Sequence, residues 1–153
     1  MSQGQPIVLL IDDDPNDQEL AKIALEKSQI PHRLMVARDG AEALAFMRSA
    51  SGSATTAPQL PHLVLLDLKL PKVNGLEVLE LLRAENETSI VPIVVFTSSN
   101  EERDLERSYE LGANAYIRKP NDFKEYKDTV ADMGRFWILR NQSPPTAAGR
   151  MTS

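Results

Sequence analysis

Leu63-Val64-Leu65-Leu66-Asp67, followed by Leu68-Lys69-Leu70-Pro71-Lys72-Val73-Asn74-Gly75, is four consecutive aliphatic residues closed by an acid and a short turn-rich segment. An apolar run without polar alternation suits a strand buried on both faces of a parallel sheet. Beyond it, Gly75, Val78, Leu79 and Leu82 recur at the i, i+3, i+4, i+7 spacing of a helix with one packed side. The stretch therefore reads as one strand–loop–helix unit with a carboxylate at the end of its strand.

The same alternation extends in both directions. Further apolar runs occur at Ile7–Ile11, Leu34–Val36, Val91–Phe96 and Ala115–Ile117. Asp14-Pro15 sets a capping carboxylate before a proline suited to the first helical position, with Leu20, Ile23 and Ala24 following on one side. Asp39-Gly40 opens a helix through Leu44 and Met47. Ser99 with Glu102 predicts a capping box ahead of Leu105 and Tyr109. The last helix is expected to start at Asn121 or Asp122 and to present Phe123, Val130, Met133 and Trp137 along one side. Phe136 and Trp137 are adjacent, so one of them must point outward. Five such units in series predict a doubly wound α/β fold. Residues 50–60 read as a loop and 141–153 as a polar, disordered tail.

Composition narrows the function classes. The chain has 153 residues, of which 42% are hydrophobic and 25% charged, as expected of one globular domain. Its formal net charge of −5 does not attract a phosphate backbone, so direct nucleic-acid binding is not expected. With no cysteine there is neither a disulfide framework nor a thiolate metal site. His32 and His62 lack metal-ligand spacing. No apolar run is long enough for a signal segment or membrane span, which makes the cytoplasm the expected compartment.

The chemistry gathers at the strand ends, where open parallel sheets bind their ligands. Asp12, Asp13 and Asp14 follow the first strand, Asp67 ends the third, Thr97 the fourth and Lys119-Pro120 the fifth. Acids crowded into a small volume repel one another unless a cation compensates them, and hard oxygen ligands suit Mg²⁺. A hydroxyl and an ammonium can bind phosphoryl oxygens. Together these groups suggest a carboxylate that accepts a phosphoryl group. No GxxxxGK[ST] loop, GxGxxG turn or GxSxG elbow is present to support nucleotide binding or a serine triad.

In order, the motifs IDDDP, LLDLKLPKVNG, VVFTSS and AYIRKP resemble those of the receiver domain of two-component response regulators, over residues 6–140. The resemblance implies a flavodoxin-like sheet of order 2-1-3-4-5. It implies Asp67 as the phosphoacceptor, supplied by a sensor histidine kinase. Mg²⁺ would be held by Asp12, Asp13, Asp67 and the backbone carbonyl of Lys69. Thr97 matches the switch hydroxyl, Tyr116 the aromatic that reports the active state, and Lys119 the phosphate-binding lysine. Pro120 marks a bond that is often cis in the family. Pro71 and Gly75 match the turn into the third helix. Side chains at Lys69 and Ser99 lie where the family varies its dephosphorylation rate.

The long linker before the third strand, the ARDG at Ala37–Gly40 and the FW at Phe136-Trp137 look like those of the single-domain response regulators of cyanobacterial and bacterial phytochromes. This looser resemblance implies a homodimer with Tyr109, Tyr116, Phe136 and Trp137 at or near the interface. Two other readings stay open at this level. Asp12-x-Asp14 superficially fits the nucleophile motif of haloacid-dehalogenase phosphatases, and a receiver can act as a binding module without phosphorylation.

Overall fold

A computed structural model describes residues 4–52 and 60–144. Five strands, β1 (Ile7–Ile11), β2 (Arg33–Ala37), β3 (Leu63–Leu66), β4 (Ile93–Thr97) and β5 (Ala115–Arg118), pair in parallel in the order β2-β1-β3-β4-β5. The helices are α1 (Pro15–Lys27), α2 (Gly40–Gly52), α3 (Gly75–Ala84), α4 (Glu102–Glu110) and α5 (Phe123–Gly134). A π-helical turn, Arg135–Arg140, continues α5. The expected flavodoxin-like architecture and strand order are present.

Successive residues of a strand point to opposite faces, and this divides the core in two. Val8, Leu10, Leu63, Leu65, Val94 and Phe96 pack against α1 and α5. Leu9, Ile11, Val64, Leu66, Ile93 and Val95 pack against α2 and α3. β1, β3 and β4 are buried along their whole length, as their unbroken apolar runs predict. β2 and β5 are not: each has a neighbour on one side only, and Val36 is 41% exposed. Their hydrophobicity therefore reflects half-burial at an edge, not burial on both faces.

Most helix starts follow their capping signals. Asp14 accepts from the Asn16 N–H at 2.9 Å, Asp39 from Glu42 at 2.8 Å, Asn74 from Glu77 at 3.0 Å and Asp122 from Glu125 at 3.0 Å. Along α3, Gly75, Val78, Leu79 and Leu82 are the buried positions, the set expected from their spacing. Gly75 sits against the Asp67 carbonyl and the Leu68 backbone, so an added methyl would overlap the loop that carries Asp67.

The capping box at Ser99 does not form. α4 starts at Glu102 after Glu101, and Ser99 Oγ donates instead to Asp104 Oδ2 at 2.6 Å. Tyr109 is 51% exposed, so the packed side of α4 is not the one its apolar residues suggested; Ser108 is its buried residue. In α5 the buried aromatic is Tyr126, while Phe123 is 54% exposed. Wider π-helical winding moves the end of this helix off the α-helical period. Trp137 and Ile138 turn toward the core there, and Phe136 and Leu139 turn outward.

The segment expected to be a loop begins later than 50, since α2 runs to Gly52, and residues 53–59 lie outside those described. Of the tail, residues 145–153 also lie outside. Ser143 and Pro144 line a small pocket with Leu60, Pro61, His62 and Val91, at the end of the sheet opposite the acids.

Arg83 is the main polar fastening. Its guanidinium donates to the carbonyls of Gly112, Ser89 and Val91 at 2.7–2.9 Å and to Asn114 Oδ1 at 2.8 Å. Asn114 Oδ1 also accepts from the Ile93 N–H at 2.7 Å, so α3 is tied to the start of β4 and the approach to β5.

Candidate functional site

The ladder continues one residue past the strands and thereby sets the acids side by side. Asp12 N–H donates to the Ala37 carbonyl at 3.0 Å and Asp67 N–H to the Ile11 carbonyl at 2.9 Å. Asp12 and Asp67 end neighbouring strands and are 1% and 7% exposed. Asp13 is exposed, and one carboxylate oxygen from each of Asp12, Asp13 and Asp67 lies within 4.8 Å of the others. Lys119 reaches them from β5, its N–H held to the Thr97 carbonyl at 2.7 Å.

Lys119 Nζ donates to Asp12 Oδ2 at 2.8 Å, to Asp67 Oδ2 at 2.9 Å and to Asp17 Oδ2 at 2.7 Å. Other oxygens of the cluster take backbone donors, Asp14 N–H on Asp12 Oδ1 and Lys69 N–H on Asp67 Oδ1. Burial pushes the Asp12 carboxyl up to about 6, although its bond to Lys119 pulls the other way. For Lys119, burial favours the neutral amine, but the carboxylates of Asp12, Asp17 and Asp67 outweigh it and hold the ammonium charged beyond its ordinary range.

Those observations bear on a metal ion directly. Oxygen donors from three acids converge, two of the acids are buried, and burial holds the Asp12 carboxyl above its ordinary range even with Lys119 beside it. The donor set fits a hard divalent cation.

Thr97 is fully buried and its hydroxyl accepts from the Ser99 N–H at 3.4 Å. The Tyr116 hydroxyl donates to the Ser99 carbonyl at 3.2 Å, and burial raises its pKa. Thr97 and Tyr116 thus meet through the backbone of one residue. Beside Lys119 an open groove of about 410 Å³ is lined by Asp17, Leu20, Ser98, Pro120, Phe123 and Tyr126.

Asp12, Asp13, Asp67 and Lys119 are therefore brought together as expected, with Thr97 on the adjoining strand. The Asp14 carboxylate is exposed and caps α1, and it is not among the three acids whose oxygens converge. The bond before Pro120 is trans, contrary to the cis expectation. A trans bond is the lower-energy form for proline as for other residues, and Lys119 reaches all its partners from it. Lys69 is exposed at the rim. Tyr109 and Phe136 are exposed, Trp137 is half-buried, and Phe136 and Trp137 meet edge to face at 5.0 Å.

Two residues escaped sequence reasoning. Asp17 looks like an ordinary acid in the first turn of a helix, and nothing local shows that it meets a lysine 102 positions away. Tyr126 looks like one more aromatic on α5, but its hydroxyl donates to the Asp17 carbonyl at 3.2 Å and its ring packs on Phe96 at 5.2 Å.

Residues 8–131 match the family model for the response regulator receiver domain. The chain belongs to that family. Response regulator Rcp1 of Synechocystis is 37% identical over 137 residues, covering 90% of this chain and 92% of its own. The structure of Rcp1 in its Mn²⁺-bound form superposes with a TM-score of 0.81 at 35% identity, over 92% of this chain and 99% of that one. The phosphorylated cyanobacterial phytochrome response regulator RcpA gives 0.84 at 33% identity, over 93% and 100%. The bacteriophytochrome response regulator AtBRR is 46% identical with a TM-score of 0.67, over 92% and 100%. This receiver is accordingly a two-component signalling protein, similar along most of its length to phytochrome-associated single-receiver regulators. Among the described residues no helix is long and apolar enough to cross a membrane.

Proposed function

We propose that Asp67 accepts a phosphoryl group from a phosphohistidine of a sensor histidine kinase of the phytochrome type. The carrying observation is a buried Asp67 carboxylate that shares its surroundings with Asp12 and Asp13 and has the Lys119 ammonium 2.9 Å away. An Asp67 oxygen forms the new bond to phosphorus as the phosphorus–nitrogen bond to the donor imidazole breaks, and the imidazole keeps that electron pair. Lys119, whose Nζ is 2.9 Å from Asp67 Oδ2, binds the charge on the transferred group. Asp12, Asp13 and Asp67, with the Lys69 carbonyl, would hold Mg²⁺. Bound there, Mg²⁺ supplies charge neutralisation to the carboxylates and the phosphoryl oxygens.

Thr97 and Tyr116 serve as the switch pair, joined through Ser99 to the start of α4. The reactions are self-directed: phosphotransfer onto Asp67, then hydrolysis. Output runs through this domain's own surface in the cytoplasm, by a homodimer using Tyr109, Tyr116, Phe136 and Trp137. The net charge of −5 argues against direct contact with nucleic acid.

The test is intact mass after incubation with Mg²⁺ and acetyl phosphate, then with a phosphorylated kinase. A labile one-phosphoryl gain is expected in the natural sequence and not in Asp67→Asn. Stable, stoichiometric uptake by Asp67→Asn would remove Asp67 from the role, and failure with both donors would favour a receiver that only binds partners.

A further inference from the structure

The ammonium of Lys119 has three carboxylate partners, and two of them have other work. Asp12 and Asp67 belong to the trio that fits a cation, and Asp67 is also the proposed acceptor. Asp17 lies outside that trio. It makes the shortest of the three contacts, 2.7 Å, from a side chain that is 21% exposed while that of Lys119 is 8% exposed. Its position is well determined: Pro15 and the Asp14 cap start the helix, and the Tyr126 hydroxyl anchors the Asp17 carbonyl to α5.

A divalent ion held by Asp12 and Asp67 would compete with the ammonium for the same two carboxylates. A buried charge left without a partner is strongly unfavourable. We propose that Asp17 is a positioning residue that keeps Lys119 paired during that exchange, so that the lysine releases Asp12 to a metal ion and stays within reach of Asp67. It acts through Lys119 and touches neither the ion nor the phosphoryl group. This rests on the phosphoacceptor reading for its biological consequence, but the coupling itself is a property of the protein before any phosphoryl transfer.

A simple charge effect makes a different forecast. If Asp17 merely adds negative potential near the acids, its loss weakens ion binding whether or not Lys119 is present. If it acts through Lys119, its loss matters only while there is an ammonium to strand. Mn²⁺ titrations at mildly alkaline pH on the full chain separate the two, using the natural sequence, Asp17→Asn, Lys119→Met and the double variant. Asp17→Asn is expected to weaken Mn²⁺ binding about tenfold beside Lys119 and by less than about twofold beside Met, a coupling ordinary for groups in direct contact. Asp17→Ser should repeat the pattern, which guards against a fault peculiar to one replacement. Equal weakening in both backgrounds, or none beside Lys119, would overturn the proposal. Phosphoryl uptake by the natural sequence is measured in parallel. Its failure would count against the acceptor role of Asp67 while the Mn²⁺ cycle still decides Asp17.

Discussion

Asp12 shows how far the site departs from ordinary carboxylate behaviour. Burial moves its carboxyl from 3.8 up to about 6. Between those values the folded chain keeps a proton that the unfolded chain has released. For this group, stability is therefore greatest below the lower value and declines as pH rises through the window. Asp12→Asn removes the cost of the buried charge but also one partner of Lys119. With chelator present and pH above the window, we expect a net gain on the order of 1 kcal/mol from urea unfolding, and a flatter pH profile. A loss of stability there would mean that the bond to Lys119 outweighs desolvation. The capping acids were legible one by one, because an Asx cap needs only its own next two or three residues.

At the scale of elements, the central strands and the edges divide. β1 and β3 were readable to the residue, since a strand covered on both faces has no polar alternation to blur its ends. The apolar run Val91–Phe96 starts two residues before β4, because Val91 is buried without being in the ladder. The start of α4 departs from its capping signal, because Ser99 has a competing local partner in Asp104. The joint between α3, β4 and β5 depends on Arg83, whose four short hydrogen bonds all reach beyond its own helix. Arg83→Met keeps much of the side-chain volume but takes the guanidinium donors from the Gly112, Ser89 and Val91 carbonyls and leaves Asn114 Oδ1 with the Ile93 N–H alone. It should lower unfolding stability by about 2–4 kcal/mol, with amide exchange rising first at Ile93 and Asn114. A change below about 0.5 kcal/mol would show that water replaces the guanidinium without cost.

For the whole molecule, the acids lie at one end of the sheet, and the exposed aromatics follow from α4 and the π-helical turn. Phe136 is 52% and Leu139 55% exposed, on a turn whose Trp137 and Ile138 pack inward. If the proposed homodimer uses this side, Phe136→Ser should shift sedimentation toward the monomer while phosphoryl uptake and the folded far-ultraviolet spectrum stay as they were. An unchanged dimer would move the interface elsewhere. By itself the sequence determined the five-unit architecture, the central strands, most of the caps and the types of group at each strand end. These depend on periodicity and on neighbours a few positions away, which a single chain displays openly. Only the tertiary structure decided which acids share Lys119, that Asp17 is among them, that β2 and β5 are half-exposed, and that Tyr126 rather than Phe123 is buried. Those outcomes depend on contacts between residues up to 109 positions apart, such as Tyr126 with Asp17, and on the end of the sheet at which a strand runs out of neighbours.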